Sequence, residues 1–454
     1  MAVAEQPPKH QQEDKSETGF QSSQQPTSHD VVFGEITEDG PNYRNLGLVG
    51  TVVLMMKTQI GLGVLAIPTT FDTLGIVPGS NYVIGTFKLN HPEVYSIDGV
   101  GSLLFGAIGR RILAVIFCLY WIFVVGSGIL SISIGLNAVS SHGACTAVFT
   151  VIAAIIGCAC SSVRTLEKIT WFAWIGLPSI LTAVIIVCIA VGLQSKPAAA
   201  PTTPTPWTSD YQITTPHSSS FTAAITAVSN LVFAFSGTPG FFAIVSEMRQ
   251  PRQYTRALLI AQGSVTAVYI AVGCVVYYFC GSYVASPALG SGGLLIKQVC
   301  YGIAMPGLVV TTTICSHIPA KFILINLLRG TPHLTANTPT HWLTWLSCTV
   351  SVSIIAFVIA NTIPVFDALV SLIGALLGTL MCFQPMGCMW LFDNWNKSRG
   401  WVWKLKVAWA GFVVILGCFL TVSGTYGCVV QIIDSYRTGE RRVAFSCADN
   451  SGTA

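Results

Sequence analysis

Runs of 20 or more mainly apolar residues, separated by short polar segments, follow one another along most of this chain. The hydrocarbon core of a bilayer is about 30 Å thick, so a helix needs about 20 such residues to cross it. The pattern therefore predicts an all-α polytopic membrane protein. Ten predicted runs occupy residues 46–79, 112–139, 144–163, 170–193, 221–246, 257–283, 299–320, 341–365, 368–392 and 407–433.

The composition agrees with a membrane protein and excludes other classes. Only 9% of the 454 residues are charged, whereas soluble domains carry about 25%. The net charge of +4 comes from short clusters between the apolar runs, so we expect no nucleic-acid partner. Most of the 15 cysteines lie inside apolar runs, and none has the spacing of metal ligands. We therefore expect no cofactor and no metal, and a lipid bilayer as the surroundings.

Lysine and arginine are concentrated in alternate loops, which predicts the orientation of the helices. The loops between these basic ones carry almost no lysine or arginine, and among them the Pro- and Thr-rich segment 195–220 is expected outside. Cys145, Cys280 and Cys300 then fall near the outer ends of their runs, so two of them are candidates for a disulfide. The basic loops, expected in the cytoplasm, lie at residues 88–111, 164–168, 249–256, 321–329 and 397–406.

Two of the runs are interrupted near their middle. Residues 59–63 read QIGLG and are followed by Pro68, and residues 236–240 read SGTPG. Backbone groups freed by glycine and proline are costly in lipid unless they line a protein cavity. Paired interruptions in two halves of a chain indicate a transporter with inverted repeats, in which half-helix ends bind the substrate. The alternative is that the glycines only allow close helix packing.

The first interruption belongs to a longer motif, KTQIGLGVLAIP at residues 57–68, which resembles the first-helix signature of the amino acid/auxin permease family. With it, YWIF at 120–123, FAFSGTP at 233–239, SEMR at 246–249 and SLIGALLG at 371–378 resemble the fungal neutral amino-acid permeases of the methyltryptophan-resistance type. The resemblance extends from about residue 46 to residue 395. It implies eleven helices, a five-plus-five inverted-repeat core of the APC/LeuT type with broken first and sixth helices, and proton-driven uptake of neutral aliphatic and aromatic amino acids.

The resemblance and the loops together divide the chain into six parts. The polar first part, rich in Gln, Ser and Glu, is expected to be disordered. The parts are a cytoplasmic tail (1–45), a first repeat (46–194), an extracellular loop (195–220), a second repeat (221–392), the last transmembrane helix (403–434) and a C-terminal tail (435–454).

The first repeat has too few residues for one of its helices. Only residues 80–87 lie between the outer end of the first run and the basic residues that belong inside. Eight helical residues rise about 12 Å, well short of a bilayer core. We therefore predict that the second helix is largely missing, truncated near residues 79–88, through an altered gene model or a splice product. The alternatives are an external N-terminus or a first run folded back as a re-entrant hairpin.

A zwitterionic amino acid needs an anion site, a cation site and a pocket for its side chain. Freed N–H groups at a half-helix N-terminus suit the carboxylate, and exposed carbonyls suit the ammonium. An aromatic wall suits an apolar side chain, although aromatic residues in membrane runs more often pack against lipid or neighbouring helices. The predicted residues are Gly61, Leu62 and Gly63 for the carboxylate, Phe235, Ser236 and Thr238 around Gly237 for the ammonium, and Tyr120, Trp121 and Phe235 for the wall.

Ionisable residues inside membrane runs are candidates for coupling. Lys57 lies one turn before the first interruption, where sodium-coupled relatives have an asparagine. Its ammonium replaces the coupling cation or snorkels to the cytoplasmic face. Asp72 is a candidate proton acceptor, and Glu247 is either part of a proton relay or paired with Arg249 at the interface. Asp367 is expected to be an N-terminal residue of its helix.

The predicted function is secondary transport of neutral amino acids, with the proton as coupling ion. A channel needs no matched interruptions, the number of runs excludes a seven-helix receptor, and no catalytic cluster at one depth suggests an enzyme. Two alternatives stay open: an amino-acid-sensing transceptor on the same fold, and a transport-defective splice variant. The plasma membrane is the expected location, with the vacuolar membrane as the alternative.

Overall fold

A computed structural model of the chain describes residues 29–30, 34–35, 46–67, 80–164, 166–197, 200, 209, 211, 220–334, 336–396, 400–437 and 444–451. Almost all of them are helical, as predicted, apart from a small antiparallel pair of two-residue strands. The strands are β1 (His29–Asp30) and β2 (Gly34–Glu35). The helices of the first half are α1 (Leu48–Lys57), α2 (Gly63–Ala66), α3 (Ser80–Asn90), α4 (Ile97–Ser140), α5 (Thr146–Ser161) and α6 (Leu166–Leu193).

The second half continues in the same way. Its helices are α7 (Phe221–Phe235), α8 (Thr238–Ser246), α9 (Tyr254–Cys280), α10 (Leu294–Leu328), α11 (Pro339–Thr362), α12 (Phe366–Leu372), α13 (Thr379–Cys382), α14 (Gln384–Asn394) and α15 (Trp401–Arg437). A π-helical segment, Ile373–Gly378, joins α12 to α13. In the described part of the chain, eight helical stretches are long and apolar enough to cross a membrane, and α1 and α5 are shorter apolar helices.

The centre of the bundle is α10, which packs against α4, α5, α6 and α11. Around it, α1 packs on α6 and α9, and α7 packs on α15 and the π-helical segment. The last contact is very close, because a Cβ atom on Gly374 would lie 1.9 Å from the carbonyl oxygen of Ser229. The motif at 371–378 therefore contains the glycine that lets the π-helical segment touch α7.

Helix α3 occupies the place where a complete second span is expected. It has 11 residues, which rise about 16 Å and cannot cross a bilayer. It contacts α8, α9 and α14, and Lys88 near its end donates hydrogen bonds to the backbone carbonyls of Pro92, at 2.8 Å, and Val94. The helix therefore packs at the end of the bundle where the basic loops lie. Residues 68–79, including Asp72, lie outside the described residues.

The disulfide expectation was wrong in its partners. Cys145 is bonded to Cys447, whereas Cys280 and Cys300 are free thiols. The C-terminal residues 444–451 fold back over the ends of α4 and α5, where Asn137 donates to Asn450 at 2.7 Å. Spacing along the sequence carries no information about a contact between residues 302 positions apart.

Peptide mapping without reduction is expected to recover one linked pair of peptides, containing Cys145 and Cys447. The predicted orientation places both cysteines outside, in an oxidising compartment where disulfides persist. Cys280 and Cys300 serve as internal controls and should be alkylated in the same sample. Alkylation of Cys447 before reduction would contradict this pairing.

Candidate functional site

The first interruption separates α1 from α2. Helix α1 ends at Lys57 and α2 begins at Gly63, so residues 58–62 form turns inside the bundle. Glycine at 61 and 63 weakens the helix at this point. The carbonyl of Gln59 accepts a hydrogen bond from the hydroxyl of Tyr269 on α9, at 2.8 Å. A side chain from another helix thus satisfies a backbone group that the interruption frees.

The second interruption separates α7 from α8 at residues Ser236 and Gly237. Pro239 lies in the first turn of α8, where its missing N–H costs nothing. The hydroxyl of Tyr269 also lies 2.9 Å from the carbonyl of Ala234, so its single proton is shared between the two carbonyls. The hydroxyl of Tyr120 on α4 donates to the carbonyl of Ser236 and lies 2.9 Å from its Oγ. Two tyrosine hydroxyls therefore bond to carbonyls freed at the interruptions.

The two interruptions lie in direct contact. A Cβ atom on Gly237 would lie 2.8 Å from Oγ1 of Thr58 and 2.9 Å from Cγ of Gln59. A Cβ on Gly63 would lie 3.0 Å from the backbone oxygen of Ala234. The two distances at Gly237 are shorter than real Cβ contacts, and the distance at Gly63 is at their lower limit, so glycine favours this close approach. The glycines therefore allow close helix packing at the same place where the two helices are interrupted.

The place where residues 58–63 meet residues 234–240 is a junction of the two interruptions. The residues predicted to bind substrate surround this junction. Gly61 faces Thr311 of α10, since a Cβ there would lie 2.5 Å from Oγ1 of Thr311. On the α4 side, Tyr120 contacts Ser236, and Cζ2 of Trp121 lies 2.9 Å from the Cβ position of Gly240. The structure thus brings together nine predicted residues from three separate runs: Gly61, Leu62, Gly63, Tyr120, Trp121, Phe235, Ser236, Gly237 and Thr238.

Lys57 does not snorkel to the surface. Its side chain is 0% exposed, and Nζ donates to the carbonyl of Ile60, within the first interruption, at 3.3 Å. Its Cε lies 3.1 Å from the Cβ position of Gly176 on α6, and Cys315 of α10 is close enough to interact electrostatically. The ammonium is therefore held inside the bundle, between α1, α6 and α10.

Glu247 forms a buried ion pair that the sequence did not predict. Nζ of Lys321 on α10 lies 2.5 Å from a carboxylate oxygen of Glu247, and both side chains are 3% exposed. The backbone adds two bonds at the same place: the N–H of Leu46 donates to the backbone carbonyl of Glu247 at 3.0 Å, and that of Arg249 donates to the backbone carbonyl of Leu46 at 2.9 Å. These contacts tie the start of the first run to the end of α8 and to α10.

Asp367 lies in the first turn of α12, as expected, but it also has side-chain partners. Asn230 of α7 donates to one carboxylate oxygen at 2.8 Å, and Gln431 of α15 donates to the other at 2.9 Å. A cavity of about 460 Å³ lies beside these residues, with Asp434 also in its wall. The described residues that line this cavity belong to α7, α12 and α15 and include none of the junction.

Sequence reasoning missed Tyr269, Thr311 and the side chain of Gln59. A glutamine in the middle of an apolar run is itself a signal, because polar groups at that depth are expensive. Tyr269 and Thr311 gave no such signal, since a tyrosine and a threonine in an apolar run are ordinary. Their positions follow from the packing of α9 and α10 against the interruptions.

Two broken helices that contact each other inside an all-helical membrane bundle define a class, the secondary transporters with an inverted-repeat core. The chain belongs to the family described as transmembrane amino acid transporter protein, whose profile matches residues 44–430. Family and fold are those of multi-pass membrane transporters and not of enzymes.

Two fungal proteins and one solved structure illustrate the likeness. The chain is 34% identical over 445 residues to a "transmembrane transporter" of Gibberella moniliformis, which is 93% of this chain and 91% of the relative. It is 31% identical over 432 residues to the "N amino acid transport system protein" of Neurospora crassa, 91% of each chain. The structure of MhsT in complex with L-phenylalanine matches with a TM-score of 0.53 at 12% identity, covering 85% of this chain and 98% of MhsT.

These matches establish the fold as a LeuT-like transporter core with broken first and sixth family helices. The first of these is α1 with α2, and the sixth is α7 with α8. Among the described residues, the 11-residue α3 stands at the second position of that core.

Proposed function

We propose that this chain imports neutral amino acids, aliphatic and aromatic ones among them, across the plasma membrane, with protons as the coupling ion. The vacuolar membrane is the alternative location. The observation that carries the proposal is the position of Lys57, whose buried ammonium lies against the first interruption of an amino-acid transporter fold. The relative from Neurospora crassa, named as an amino acid transport system protein, supports the substrate class.

The junction offers the three parts of an amino-acid site. The N–H groups of Leu62 and Gly63 lie at the start of α2 and suit the carboxylate, since helix N-termini attract anions. The N–H of Gly61 donates to the carbonyl of Gln59 at 2.9 Å. The carbonyls of Phe235 and Ser236, with the hydroxyl of Thr238, suit the ammonium. The contacts around the junction involve hydroxyl, aromatic and apolar groups, which fits a substrate side chain without net charge.

Lys57 gives the physical reason for proton coupling. A fixed ammonium bonded to the carbonyl of Ile60 carries the same charge as a sodium ion and repels one from the same carbonyls. An amine can lose and regain a proton during the transport cycle, which a bound metal ion cannot do. The groups near the ammonium are Cys315 of α10 and the backbone at Gly176 of α6.

Uptake of radiolabelled leucine into proteoliposomes is therefore expected to rise as the external pH falls and to ignore replacement of sodium by choline. Lys57→Met removes the titrating amine at similar volume, and its residual uptake should lose the dependence on pH. Lys196, in the predicted extracellular loop, gives a matched control, and Lys196→Met should keep the wild-type pH profile. Uptake that requires sodium would contradict proton coupling, and an unchanged pH profile in Lys57→Met would remove the role of this lysine.

The short α3 favours a second candidate, a transport-defective form of the same transporter. In the described part of the chain this short helix leaves interior surface of the bundle without its usual cover. If this candidate is correct, the protein reaches the membrane but shows no uptake of any neutral amino acid at any pH. Robust uptake by a chain of confirmed sequence would exclude it.

A further inference from the structure

Two buried side chains at the junction have polar atoms without partners. Gln59 is 2% exposed, and within the described part of the chain neither its Nε2 nor its Oε1 has a hydrogen-bond partner. The same holds for Nε1 of the buried Trp121. Buried polar groups in proteins are nearly always hydrogen-bonded. These three atoms therefore identify a place where a partner is expected to arrive.

The two side chains cover one strip of α8. Cγ of Gln59 lies 2.9 Å from the Cβ position of Gly237, and Cζ2 of Trp121 lies 2.9 Å from that of Gly240. Residues three apart on a helix are neighbours on the same face. Gln59 and Trp121 thus both pack against the first turn of α8, beside the predicted substrate residue Gly237.

The local structure does not use the amide of Gln59. Its backbone carbonyl already accepts from Tyr269, so the interruption is supported without the side chain. An apolar side chain of the same size would fill this space without burying unpaired donors and acceptors, which are expensive to leave unmade. A glutamine amide in this position has a physical reason if a ligand supplies the missing hydrogen bonds.

We propose that Gln59 and Trp121 recognise the side chain of the substrate through hydrogen bonds. The site therefore prefers neutral amino acids with a carboxamide side chain over aliphatic ones of similar shape. This inference rests on the proposed transport of neutral amino acids and ranks the substrates within that class. The amide of Gln59 has donors and an acceptor, and it pairs with a second carboxamide through two reciprocal hydrogen bonds. The indole N–H of Trp121 donates to the remaining lone pair of the ligand's carbonyl.

An aliphatic substrate would leave all three protein atoms unpaired in the closed site. Sites built to hydrogen-bond a substrate group discriminate strongly against analogues that lack it. Asparagine and leucine have the same number and branching of side-chain heavy atoms, and glutamine and methionine are similar in length. Each pair thus separates hydrogen bonding from size.

The test measures binding, so it does not depend on transport. Thermal stabilisation of the purified full chain in nanodiscs, titrated with each amino acid, gives apparent dissociation constants. We expect glutamine to bind about tenfold or more tightly than methionine, and asparagine likewise more tightly than leucine. In Gln59→Met this preference should fall to near one, mainly through weaker glutamine binding. Trp121→Phe, which removes the N–H and keeps an aromatic ring, should lower it by a smaller factor.

Gln262 provides the matched control. It is a second buried glutamine whose amide has no partner among the described residues, and it lies about 10 Å along α9 from Tyr269. Gln262→Met should keep the wild-type preference. The melting temperature of each ligand-free variant, read in the same experiment, shows that it is folded.

Three outcomes would overturn the inference: equal affinity for glutamine and methionine in the wild type, an unchanged preference in Gln59→Met, or an equal loss of affinity for every ligand. The last result would assign Gln59 to the shape of the site and not to its specificity. Selective binding of carboxamide amino acids without any uptake would refute the proposed transport and support the inference. Uptake of leucine, together with equal binding of carboxamide and aliphatic amino acids, would support the proposed transport and refute the inference.

Discussion

Gly237→Leu and Gly61→Leu are each expected to reduce amino-acid uptake to background. At position 237 even a Cβ atom would lie 2.8 Å from Thr58 and 2.9 Å from Gln59, and at position 61 it would lie 2.5 Å from Thr311. Leucine adds three more carbon atoms at the same point. Overpacking typically costs about 1–3 kcal/mol, and here the strain falls on the contact that holds the two interruptions together.

Uptake of labelled leucine, divided by surface abundance from biotinylation, measures this effect. Gly263→Leu is the matched control, because Gly263 lies in the middle of α9 and an added Cβ meets nothing within 4 Å. The control should transport at the wild-type rate. Normal uptake by both Gly61→Leu and Gly237→Leu would show that these glycines serve helix packing only and not substrate binding.

Neutralising one partner of the Glu247–Lys321 pair is expected to cost about 3–5 kcal/mol of stability, because it leaves the other charge buried without this ion pair. Glu247→Gln and Lys321→Met should therefore both melt earlier than the wild type. Replacement of both partners by apolar residues of similar volume is often nearly neutral for stability. The double variant Glu247→Leu with Lys321→Met should thus recover most of the loss.

Melting followed by the size-exclusion peak of the detergent-solubilised protein measures this prediction. Glu93 gives the matched control, because its side chain is 51% exposed and lies 3.5 Å from Nδ1 of His91. Exposed pairs contribute little, so Glu93→Gln should melt with the wild type. Wild-type melting of both single variants would show that Glu247 and Lys321 are not a buried charge pair.

The sequence determined the features that depend on neighbouring residues. Apolar runs of sufficient length specify membrane helices by themselves, because a bilayer selects for length and hydrophobicity. The interruptions at 59–63 and 236–240 were predictable because glycine and proline weaken a helix wherever they stand. The shortness of α3 followed from the rise per residue and from the few residues between the first run and the next basic loop. Most of the predicted binding residues belong to these same segments.

Tertiary structure alone decided the partners. Tyr269 reaches Gln59 across 210 positions, Lys321 reaches Glu247 across 74, and Cys447 reaches Cys145 across 302. A membrane helix that is apolar on nearly every face does not show which neighbour each face will meet. The direction of a long side chain is equally undetermined, because one stem can extend to the surface or turn inward. Packing of α6, α9 and α10 around the interruptions settled these choices, and it directed the ammonium of Lys57 to the carbonyl of Ile60.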